Sequence, residues 1–486
     1  MMIHDLLIIG GGINGAALAR EAAINGLSVL LVERGDLGGE TSSASTKLIH
    51  GGLRYLEQRE FRLVREALQE RERLLAAAPH MIYPMRFVLP HVRGIRPWWV
   101  VRLGLLLYDR IGGKSRMPGS RGLRPWDRRF QAPLKRTRAG FVYSDCVVDD
   151  SRLTLLNAMD AAQRGADIRP RTELISARRE GNIWHAELSN GVTAKARVLA
   201  NAAGPWVTET LARIGAGSKA RVRLVKGSHI IVPRLYDGDH AYILQQPDRR
   251  IIFAIPHEDC FTLIGTTEEQ AGSPQAPPVT EEETAYLCAA ANRFFEKMIS
   301  PADVVHSYSG VRPLYDDGAA ESTAITRGYV LELDKGEPPL LSIFGGKITT
   351  ARHMAEEALA RIAEACKWEC YRSSRALIFP GGAIAHFEEF LTHVRMFWPF
   401  LSEAQARRMA RAYGVMLHEM LGQVRNEADM GRSFGAGFTE IEARWMREHE
   451  WAQTPEDCLW RRSKLGLHMT KEERADFAQW WQSNSG

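Results

Sequence analysis

The sequence predicts a mixed α/β (α+β) protein with a parallel-sheet domain, an antiparallel-sheet domain and a helical C-terminal domain. Three observations lead to this fold class. Apolar residues 6–9 run into a glycine turn and then a helix. From about residue 385 onward, helical patterns replace strand signals. Between them lie closely spaced strand-like runs, typical of an antiparallel sheet, at residues 229–233, 241–244, 250–255 and 261–265.

The first element is a strand–turn–helix unit at the N-terminus. Gly10 permits a tight turn, Gly12 lets the backbone approach a diphosphate, and Gly15 lets the helix pack closely on the strand. The helix N-terminus offers N–H groups and a partial positive charge to that diphosphate. Glu33 ends the next apolar strand, where its carboxylate can accept hydrogen bonds from a ribose. The spacing predicts a Rossmann-like domain that binds a dinucleotide.

Residues 41–55, TSSASTKLIHGGLRY, combine hydroxyl groups, glycines and cations. This stretch is richer in groups capable of binding and catalysis than a plain surface loop. A helix is predicted over about residues 60–78, where Pro79 ends it and one face is apolar, formed by Phe61, Val64, Leu68 and Leu75.

Residues 97–108, PWWVVRLGLLLY, form the most apolar window of the chain. Twelve residues are too few to span a bilayer, so two interpretations remain. The window is either a buried helix or an interfacial patch with tryptophans at the depth of the lipid headgroups. Basic residues flank it closely, namely Arg93, Arg96, Arg102, Arg110 and Lys114.

Two later segments favour a flavin over a nicotinamide cofactor. Residues 197–206 read as a strand that ends in the small-residue turn NAAGPW, which can lie beside the first glycine turn. Residues 341–350, LSIFGGKITT, read as a strand that breaks at Gly345 and Gly346 into a helix. A second helix N-terminus can stabilise negative charge around N1 and O2 of a reduced flavin, whereas a nicotinamide needs no such group.

Composition limits the class of protein. A chain of 486 residues implies two or three domains, and 45% hydrophobic with 25% charged residues is typical of a soluble globular protein. Six scattered cysteines favour reduced cytosolic thiols, and Cys366 and Cys370 lack matching metal ligands, so no metal is expected. The net charge of +5 suits an anionic substrate or membrane surface, and no nucleic-acid module is visible.

These segments together match a known family. In order, GGGINGA, TSSASTKLIHGGLRYLE, YSDCVVDDSRL, NAAGPW, LVKGSHI, IGTT, YSGVRPL and FGGKITT resemble the FAD-dependent glycerol-3-phosphate dehydrogenases, closest to the aerobic quinone-linked bacterial type. The resemblance covers nearly the whole chain, including LWRRSK at 459–464. It implies an FAD-binding domain of the glutathione-reductase/D-amino-acid-oxidase type, with an antiparallel substrate domain and a C-terminal helical domain.

The resemblance implies oxidation of sn-glycerol 3-phosphate by hydride transfer from C2 to FAD, with the electrons passed to a quinone. Arg54, Tyr55 and Arg327 are then expected at the phosphate. Arg312 and His229 are expected near the C2 oxygen, with His229 as the preferred base. Lys347 is compatible with either the phosphate or the O2 side of the flavin. The division of these roles stays open.

The FAD is expected to be non-covalent, and the resemblance together with the glycine motifs predicts which residues contact it. The predicted contacts are Gly10, Gly12, Ile13, Asn14, Gly15, Glu33, Arg34, Thr41, Ser42, Ser45, Lys47, Leu48, His50, Gly51, Ala202, Gly204, Gly345, Gly346, Lys347, Ile348 and Thr349.

A quinone acceptor is lipid-soluble, so the resemblance also implies a peripheral (monotopic) protein on the cytoplasmic face of the inner membrane, bound to anionic phospholipid. No signal peptide is expected, because the first apolar run reads as strand one. The oligomeric state is open, and a homodimer fits. Domain boundaries are expected at 1–85, 145–220 and 305–384 for FAD, 86–144 and 221–304 for substrate and membrane, and 385–486 for the helical domain.

Three alternatives remain. One is an oxidase of the same fold that gives its electrons to oxygen. A second is a flavoprotein that modifies tRNA or acts as a redox scaffold, although the scattered charge lacks an extended basic surface. The third is an amino-acid oxidase, which needs a single carboxylate clamp, whereas the four candidate cations suit a phosphate dianion better.

Overall fold

The computed structural model describes residues 2–91, 96–135, 139–248, 250–316 and 328–484. The strands are β1 (Ile3–Ile9), β2 (Val29–Val32), β3 (Leu48–Ile49), β4 (Ile82–Pro90), β5 (Arg121–Gly122), β6 (Gly140–Val148), β7 (Asp167–Arg169), β8 (Leu174–Glu180), β9 (Ile183–Leu188), β10 (Thr193–Asn201), β11 (Val222–Pro233), β12 (His240–Gln245), β13 (Ile251–His257), β14 (Phe261–Gly265), β15 (Glu269–Gln270), β16 (His306–Tyr315), β17 (Tyr329–Asp334), β18 (Leu340–Gly345), β19 (Ser433–Gly435) and β20 (Phe438–Thr439).

The α-helices are α1 (Ile13–Ile24), α2 (Phe61–Ala77), α3 (Trp98–Ile111), α4 (Arg128–Gln131), α5 (Asp150–Gln163), α6 (Val207–Arg213), α7 (Glu281–Asn292), α8 (Ala351–Cys366), α9 (Phe387–Phe397), α10 (Glu403–Tyr413), α11 (Leu417–Leu421), α12 (Glu440–His449) and α13 (Lys471–Ser483). Short 3-10 turns at Thr41–Ser43, Leu53–Leu56 and Ile348–Thr350 border the site described below.

The first sheet contains the parallel nucleotide-binding strands that the N-terminal motif predicts, with β17 and the β8–β9 pair added in the antiparallel direction. Its strand order is β17-β18-β10-β1-β2-β7, and β1 pairs in parallel with both β2 and β10. The central strands are apolar on both faces because both faces are covered, one by α1, α5 and α8 and the other by β8, β9 and α6. Leu6, Leu7 and Ile8 are fully buried. The carboxyl ends of β1, β10 and β18 therefore meet at one edge, where α1 and the 348–350 turn begin.

The second sheet has ten strands and carries the opposite wall of the site. Its order is β15-β11-β14-β13-β12-β4-β6-β3, with β16 also paired to β11. The predicted strands at 229–233, 241–244, 250–255 and 261–265 are confirmed as parts of β11 to β14. β16 lies inside the 305–384 stretch expected for the nucleotide domain, yet it pairs with β11 from Val222 to Ile231. The predicted domain boundaries stay a prediction.

The C-terminal segment is helical, as expected, apart from the short hairpin of β19 and β20. It is joined to the nucleotide domain by buried ion pairs as well as by apolar packing. The Arg152 guanidinium donates to Glu450 at 2.8 Å, and the Arg462 guanidinium donates to Asp36 at 2.5 Å. Asp36 lies three residues after Glu33, so the C-terminal domain supports the loop at the end of β2.

Two predicted helices differ from expectation in detail. The 60–78 helix is confirmed as α2, but Phe61 is 44% exposed and does not belong to the buried face, which uses Val64 and Leu68. The apolar window forms α3, which buries one face and exposes the other. Leu105 is fully buried, whereas Trp99 is 66% exposed. The fully buried helix is wrong, because α3 packs on the second sheet with only one side, and the interfacial patch stays a prediction.

Candidate active site

The glycine turn after β1 is held in a conformation that only glycine allows. Gly10 has φ +106°, and a Cβ on Gly15 would lie 1.9 Å from the Gly10 carbonyl oxygen. α1 therefore starts in direct contact with the turn, as the motif predicts. The Gly11 N–H donates to Glu33 Oε2 at 2.7 Å, and the Gly35 N–H donates to Glu33 Oε1 at 2.7 Å. The Glu33 carboxylate thus ties the turn to the end of β2.

A single elongated cavity runs along this turn, with an empty volume of about 2030 Å³ including its open mouth. It extends from Glu33 and Arg34 at one end to Arg312 and Lys347 at the other. Most predicted site residues line it: Gly10, Gly12, Ile13, Asn14, Glu33, Arg34, Thr41, Ser42, Ser45, Leu48, His50, Tyr55, Ala202, Gly204, Arg312, Gly345, Gly346, Lys347, Ile348 and Thr349. Their individual roles stay predictions.

Some predicted site residues lie elsewhere. Gly15, Lys47, Gly51, Arg54 and His229 do not belong to the lining of this cavity. Arg327 lies outside the described residues. The Lys47 ammonium is buried and donates to Asp150 at 2.7 Å, which raises the pKa of Lys47. The Gly51 N–H donates to the Tyr108 hydroxyl at 2.8 Å.

The middle of the cavity fits a diphosphate and a flavin. α1 points its N-terminus at the cavity and has no acidic residue in its first turn. A second turn, Ile348–Thr350, opens α8 on the other side of the same cavity. The Asn14 Nδ2 donates to the Gly345 carbonyl at 3.1 Å, while Asn14 Oδ1 is buried without a partner among the described residues. Two helix starts and one buried acceptor suit an elongated anionic group with its own N–H donors.

The loop 41–47 forms one wall of the cavity and is tightly anchored. The Ile13 N–H donates to Ser42 Oγ at 2.9 Å, so this loop touches the start of α1. The Ser45 hydroxyl donates to Asp150 at 2.7 Å, on the same carboxylate that binds Lys47. Sequence reasoning did not assign Asp150, although its block VVDDSRL belonged to the resemblance. Its role depends on contacts between distant segments, which no local pattern reveals.

Cations converge at the far end of the cavity. The Lys347 ammonium lies 3.8 Å from the centre of the Tyr55 ring. The Arg312 side chain starts on β16 and crosses β11 beside Gly227. A Cβ on Gly227 would lie only 2.9 Å from Arg312 Nη2. The guanidinium reaches Thr266 Oγ1 at 3.4 Å. Glycine at position 227 therefore leaves the space through which Arg312 enters the site.

Glu268 is a further residue of this end that sequence reasoning missed. Its carboxylate lies 3.7 Å from the Arg312 guanidinium and 3.9 Å from that of Arg54. The only signal in the sequence is its place directly after the IGTT motif.

His229 lies on β11, fully buried beside the cavity. Its Nε2 is 3.0 Å from the Thr46 hydroxyl, and Thr46 lines the cavity. The ring stacks on Tyr308 with centroids 4.9 Å apart. Burial, with Arg312 and Lys47 nearby, holds the pKa of His229 well below its usual range. The imidazole is therefore neutral, and its Nε2 contacts the Thr46 hydroxyl, which lines the cavity.

Known proteins share this architecture. The profile of the FAD dependent oxidoreductases matches residues 5–352, and that of the C-terminal domain of alpha-glycerophosphate oxidase matches residues 373–478. A glycerol-3-phosphate dehydrogenase of Pseudomonas aeruginosa is 49% identical, over 99% of this chain and 95% of its own. The aerobic glycerol-3-phosphate dehydrogenase of Escherichia coli is 46% identical, over 99% and 97%.

Two further likenesses bear on substrate and fold. A D-erythritol 1-phosphate dehydrogenase of Brucella abortus is 48% identical, over 98% of this chain and 97% of its own. Among solved structures, the glycerol-3-phosphate dehydrogenase of Bacillus halodurans complexed with FAD matches with a TM-score of 0.73 and 26% identity, covering 99% of this chain and 94% of that one.

Proposed function

This chain belongs to the FAD-dependent glycerol-3-phosphate dehydrogenase family, and on that premise we propose that it oxidises sn-glycerol 3-phosphate to dihydroxyacetone phosphate. The observation that carries the proposal is the cationic end of the FAD cavity, where Arg312 and Lys347 face the same space as the second helix start. A phosphate-bearing alcohol needs cations at this end, both for the phosphate and for the negative charge that develops on the alcohol oxygen. FAD, held non-covalently, supplies the hydride acceptor when bound.

Some of the site residues are assigned to the substrate phosphate and others to the C2 alcohol. Arg54, Tyr55 and Arg327 are assigned to the phosphate. Tyr55 lines the cavity, and Arg54 is linked through Glu268 to the cavity residue Arg312. Arg312 orients the C2 oxygen and stabilises negative charge that develops on it. Lys347 lies between the Tyr55 ring and the flavin side of the cavity, so it serves either group.

The alcohol proton leaves through Thr46 and His229. The Thr46 hydroxyl lies between the cavity and His229 Nε2. Its oxygen can accept the proton of the substrate alcohol while its own proton moves to His229 Nε2. A neutral imidazole is required for that role, and burial keeps His229 neutral.

The test is reduction of the bound flavin by glycerol 3-phosphate in the absence of oxygen, read as bleaching of its visible absorbance. Replacing Arg312 with alanine is expected to lower kcat/KM about ten- to a hundredfold, the cost of a lost charge-assisted hydrogen bond. Replacing Arg54 with alanine is expected to lower kcat/KM by a similar factor. The matched control is Arg197→Ala, which removes an arginine with 61% side-chain exposure in the other sheet. Unchanged kcat/KM in both site variants, with FAD retained, would refute their assignment.

D-Erythritol 1-phosphate is a second candidate substrate, because a dehydrogenase of that name is nearly as similar as the glycerol-3-phosphate dehydrogenases. Both substrates place a secondary alcohol near a phosphate, so the same cations suit either. Comparison of kcat/KM for the two compounds in one preparation decides between them. An oxidase activity is tested in the same preparation, since an enzyme that gives electrons to oxygen releases peroxide without any quinone.

For the acceptor, we propose a membrane quinone, reached through the exposed face of α3 on the cytoplasmic side of the inner membrane. Trp98, Trp99, Leu103 and Leu107 are 46%, 66%, 61% and 40% exposed. Tryptophan and leucine on one face of a helix are typical of an interfacial contact. Arg110 and Lys114 are exposed at its end, while Arg93 lies outside the described residues. Within the described residues, no helix combines the length and apolar character needed to cross a membrane.

Replacing Trp98, Trp99, Leu103 and Leu107 with serine is expected to abolish most binding to anionic vesicles and slow turnover with a membrane quinone. The buried Leu105 is left intact because its loss would damage the core. In the wild type, high salt should release part of the protein, because charge attraction is screened and apolar insertion persists. The control replaces two exposed apolar residues far from α3 in the chain with serine, namely Ile175 on β8 and Val192 in the turn before β10. Vesicle binding that survives the α3 change would place the contact elsewhere.

A further inference from the structure

A buried polar cluster of Arg71, Tyr108 and Asp145 lies outside the lining of the cavity and has no part in the assignments above. We infer that this cluster positions the backbone at Gly51 and, through it, Tyr55 at the substrate end of the cavity. The inference rests on the proposed role of Tyr55 at the phosphate. It makes Tyr108 and Asp145 positioning residues rather than catalytic ones.

Three secondary-structure elements meet in this cluster. Arg71 comes from α2, Tyr108 from the buried face of α3, and Asp145 from β6. The Arg71 guanidinium donates to Asp145 Oδ1 at 2.6 Å, and the Tyr108 hydroxyl donates to Asp145 Oδ2 at 2.8 Å. Burial raises the pKa of Asp145 to about 6, so the carboxylate is still ionised at neutral pH and accepts both bonds. It thereby fixes the direction of the Tyr108 O–H, and the hydroxyl oxygen remains available to accept from another donor.

That other donor is the backbone of Gly51. The Gly51 N–H donates to the Tyr108 hydroxyl at 2.8 Å, and a buried N–H that loses its partner costs stability. The packing around Gly51 is equally close. A Cβ on it would lie 2.7 Å from Leu68 Cδ2 and 2.9 Å from Tyr108 Cε2. The backbone at Gly51 is therefore in direct contact with both α2 and α3, and the cluster sets its position.

A short turn connects Gly51 to Tyr55. Gly52 has φ +77°, and a Cβ on it would lie 2.1 Å from Tyr55 Cε2, so the Tyr55 ring packs directly on the Gly52 backbone. The Tyr55 N–H also donates to the Gly52 carbonyl at 2.9 Å. Tyr55 lines the cavity, where the Lys347 ammonium lies 3.8 Å from the centre of its ring. A shift of the backbone at Gly51 would therefore move a side chain of the substrate end.

The residue before Gly51 is anchored separately, at the second helix start. The His50 N–H donates to Thr349 Oγ1 at 3.4 Å, and both residues line the cavity. The segment from His50 to Tyr55 is thus held by one N–H at the cavity wall and by another at the buried cluster. Loss of the Tyr108 hydroxyl would release only the second anchor. We therefore expect the turn that carries Tyr55 to shift while the flavin side of the cavity stays in place.

Tyr108→Phe tests the inference in the FAD-loaded protein, because it removes the hydroxyl and keeps the ring against Gly51. Rapid anaerobic mixing with increasing glycerol 3-phosphate gives the substrate dissociation constant and the limiting rate of flavin reduction separately. The dissociation constant should rise about three- to tenfold, the usual effect of one lost hydrogen bond. The limiting rate should change by less than about twofold, since the flavin side is not released. A lower Tm with both constants unchanged would leave the cluster a purely structural role and overturn the inference.

The C-terminal domain provides a matched control, because it contains a second buried cluster of the same three residue types. The Tyr413 hydroxyl donates to Glu442 Oε1 at 2.8 Å, and the Arg408 guanidinium donates to the same oxygen at 2.6 Å. None of these three residues lines the cavity. Tyr413→Phe should therefore lower Tm by a similar amount and leave both the dissociation constant and the limiting rate unchanged.

Tyr55→Phe separates this inference from the proposed function. If Tyr55 binds the phosphate, this variant alone should raise the dissociation constant. Tyr108→Phe should then weaken binding less in the Tyr55→Phe background than in the wild type, because Tyr108 acts through Tyr55. Additive effects would overturn the inference, whereas an unchanged dissociation constant in Tyr55→Phe alone would overturn the phosphate role of Tyr55.

Asp145→Asn keeps the test decisive if Tyr108→Phe does not fold. The amide has the shape of the carboxylate but is a weaker acceptor for the Tyr108 hydroxyl. The dissociation constant should rise in this variant as well, with little change in the limiting rate. An unchanged dissociation constant in a folded Asp145→Asn protein would contradict the inference.

Discussion

Replacing Gly15 with alanine is expected to leave the protein without bound FAD. The added Cβ would lie 1.9 Å from the Gly10 carbonyl oxygen and 3.3 Å from Ile8 Cγ2. The closest atom belongs to the backbone, so no side-chain rotation relieves the overlap, and the start of α1 must move away from the turn. A diphosphate bound at that helix start would lose its N–H donors. The measurement is the amount of flavin released by acid from the purified variant.

The control is Gly104→Ala, in the middle of α3. A Cβ there meets no atom within 4 Å, so this variant should carry as much FAD as the wild type. Circular dichroism separates loss of cofactor from loss of fold in the Gly15 variant. A folded Gly15→Ala protein with one FAD per chain would show that the turn does not hold the diphosphate.

Replacing His229 with asparagine is expected to slow reduction of the flavin by about 10²–10⁴-fold, the usual contribution of a general base. Asparagine can still bond to Thr46 but does not accept the proton, so substrate affinity should change little. Rapid anaerobic mixing isolates this step. The lowered pKa of His229 keeps the ring neutral from neutral pH down to that pKa. The wild-type reduction rate should therefore be flat across this range and fall only in more acidic solution.

Thr46 provides a matched pair of variants for the same path. Thr46→Val keeps the shape but removes the hydroxyl between the cavity and His229, whereas Thr46→Ser keeps the hydroxyl. The valine variant should lose most of the reduction rate and the serine variant little. Equal rates in this pair, or a normal rate in His229→Asn, would move proton acceptance to another group of the site.

The part of the site that follows from local sequence was largely predictable. The strand–turn–helix at residues 3–24 needs glycines at set positions, because a side chain at Gly15 would overlap the backbone of the turn. Glycine is also required where β18 ends and the second helix start begins, because Gly345 and Gly346 both have positive φ. Positive φ and close backbone contacts involve residues that are neighbours in the chain, so a glycine at the right spacing in the sequence indicates them directly.

The polar partners of the substrate end were less predictable. Glu268, Thr46 and Asp150 each act on a residue from another segment: Glu268 on Arg54 and Arg312, Thr46 on His229, and Asp150 on Lys47. Lys47 resembles a cofactor ligand in its motif, yet its charge is directed to Asp150 and away from the main cavity. A carboxylate or hydroxyl has no preferred partner at a given sequence spacing, so no pattern indicates these pairs.

The sequence by itself determined the nucleotide turn, the second helix start, the antiparallel strands between residues 229 and 265, the helical C-terminal segment and, through its resemblance, the family. The tertiary structure alone decided which face of α3 is exposed, that His229 contacts the cavity residue Thr46, and that Glu268 lies between Arg54 and Arg312. The physical reason is the range of the forces involved. Backbone geometry is set by adjacent residues, whereas burial and charge pairing depend on which distant segments the folded chain brings together.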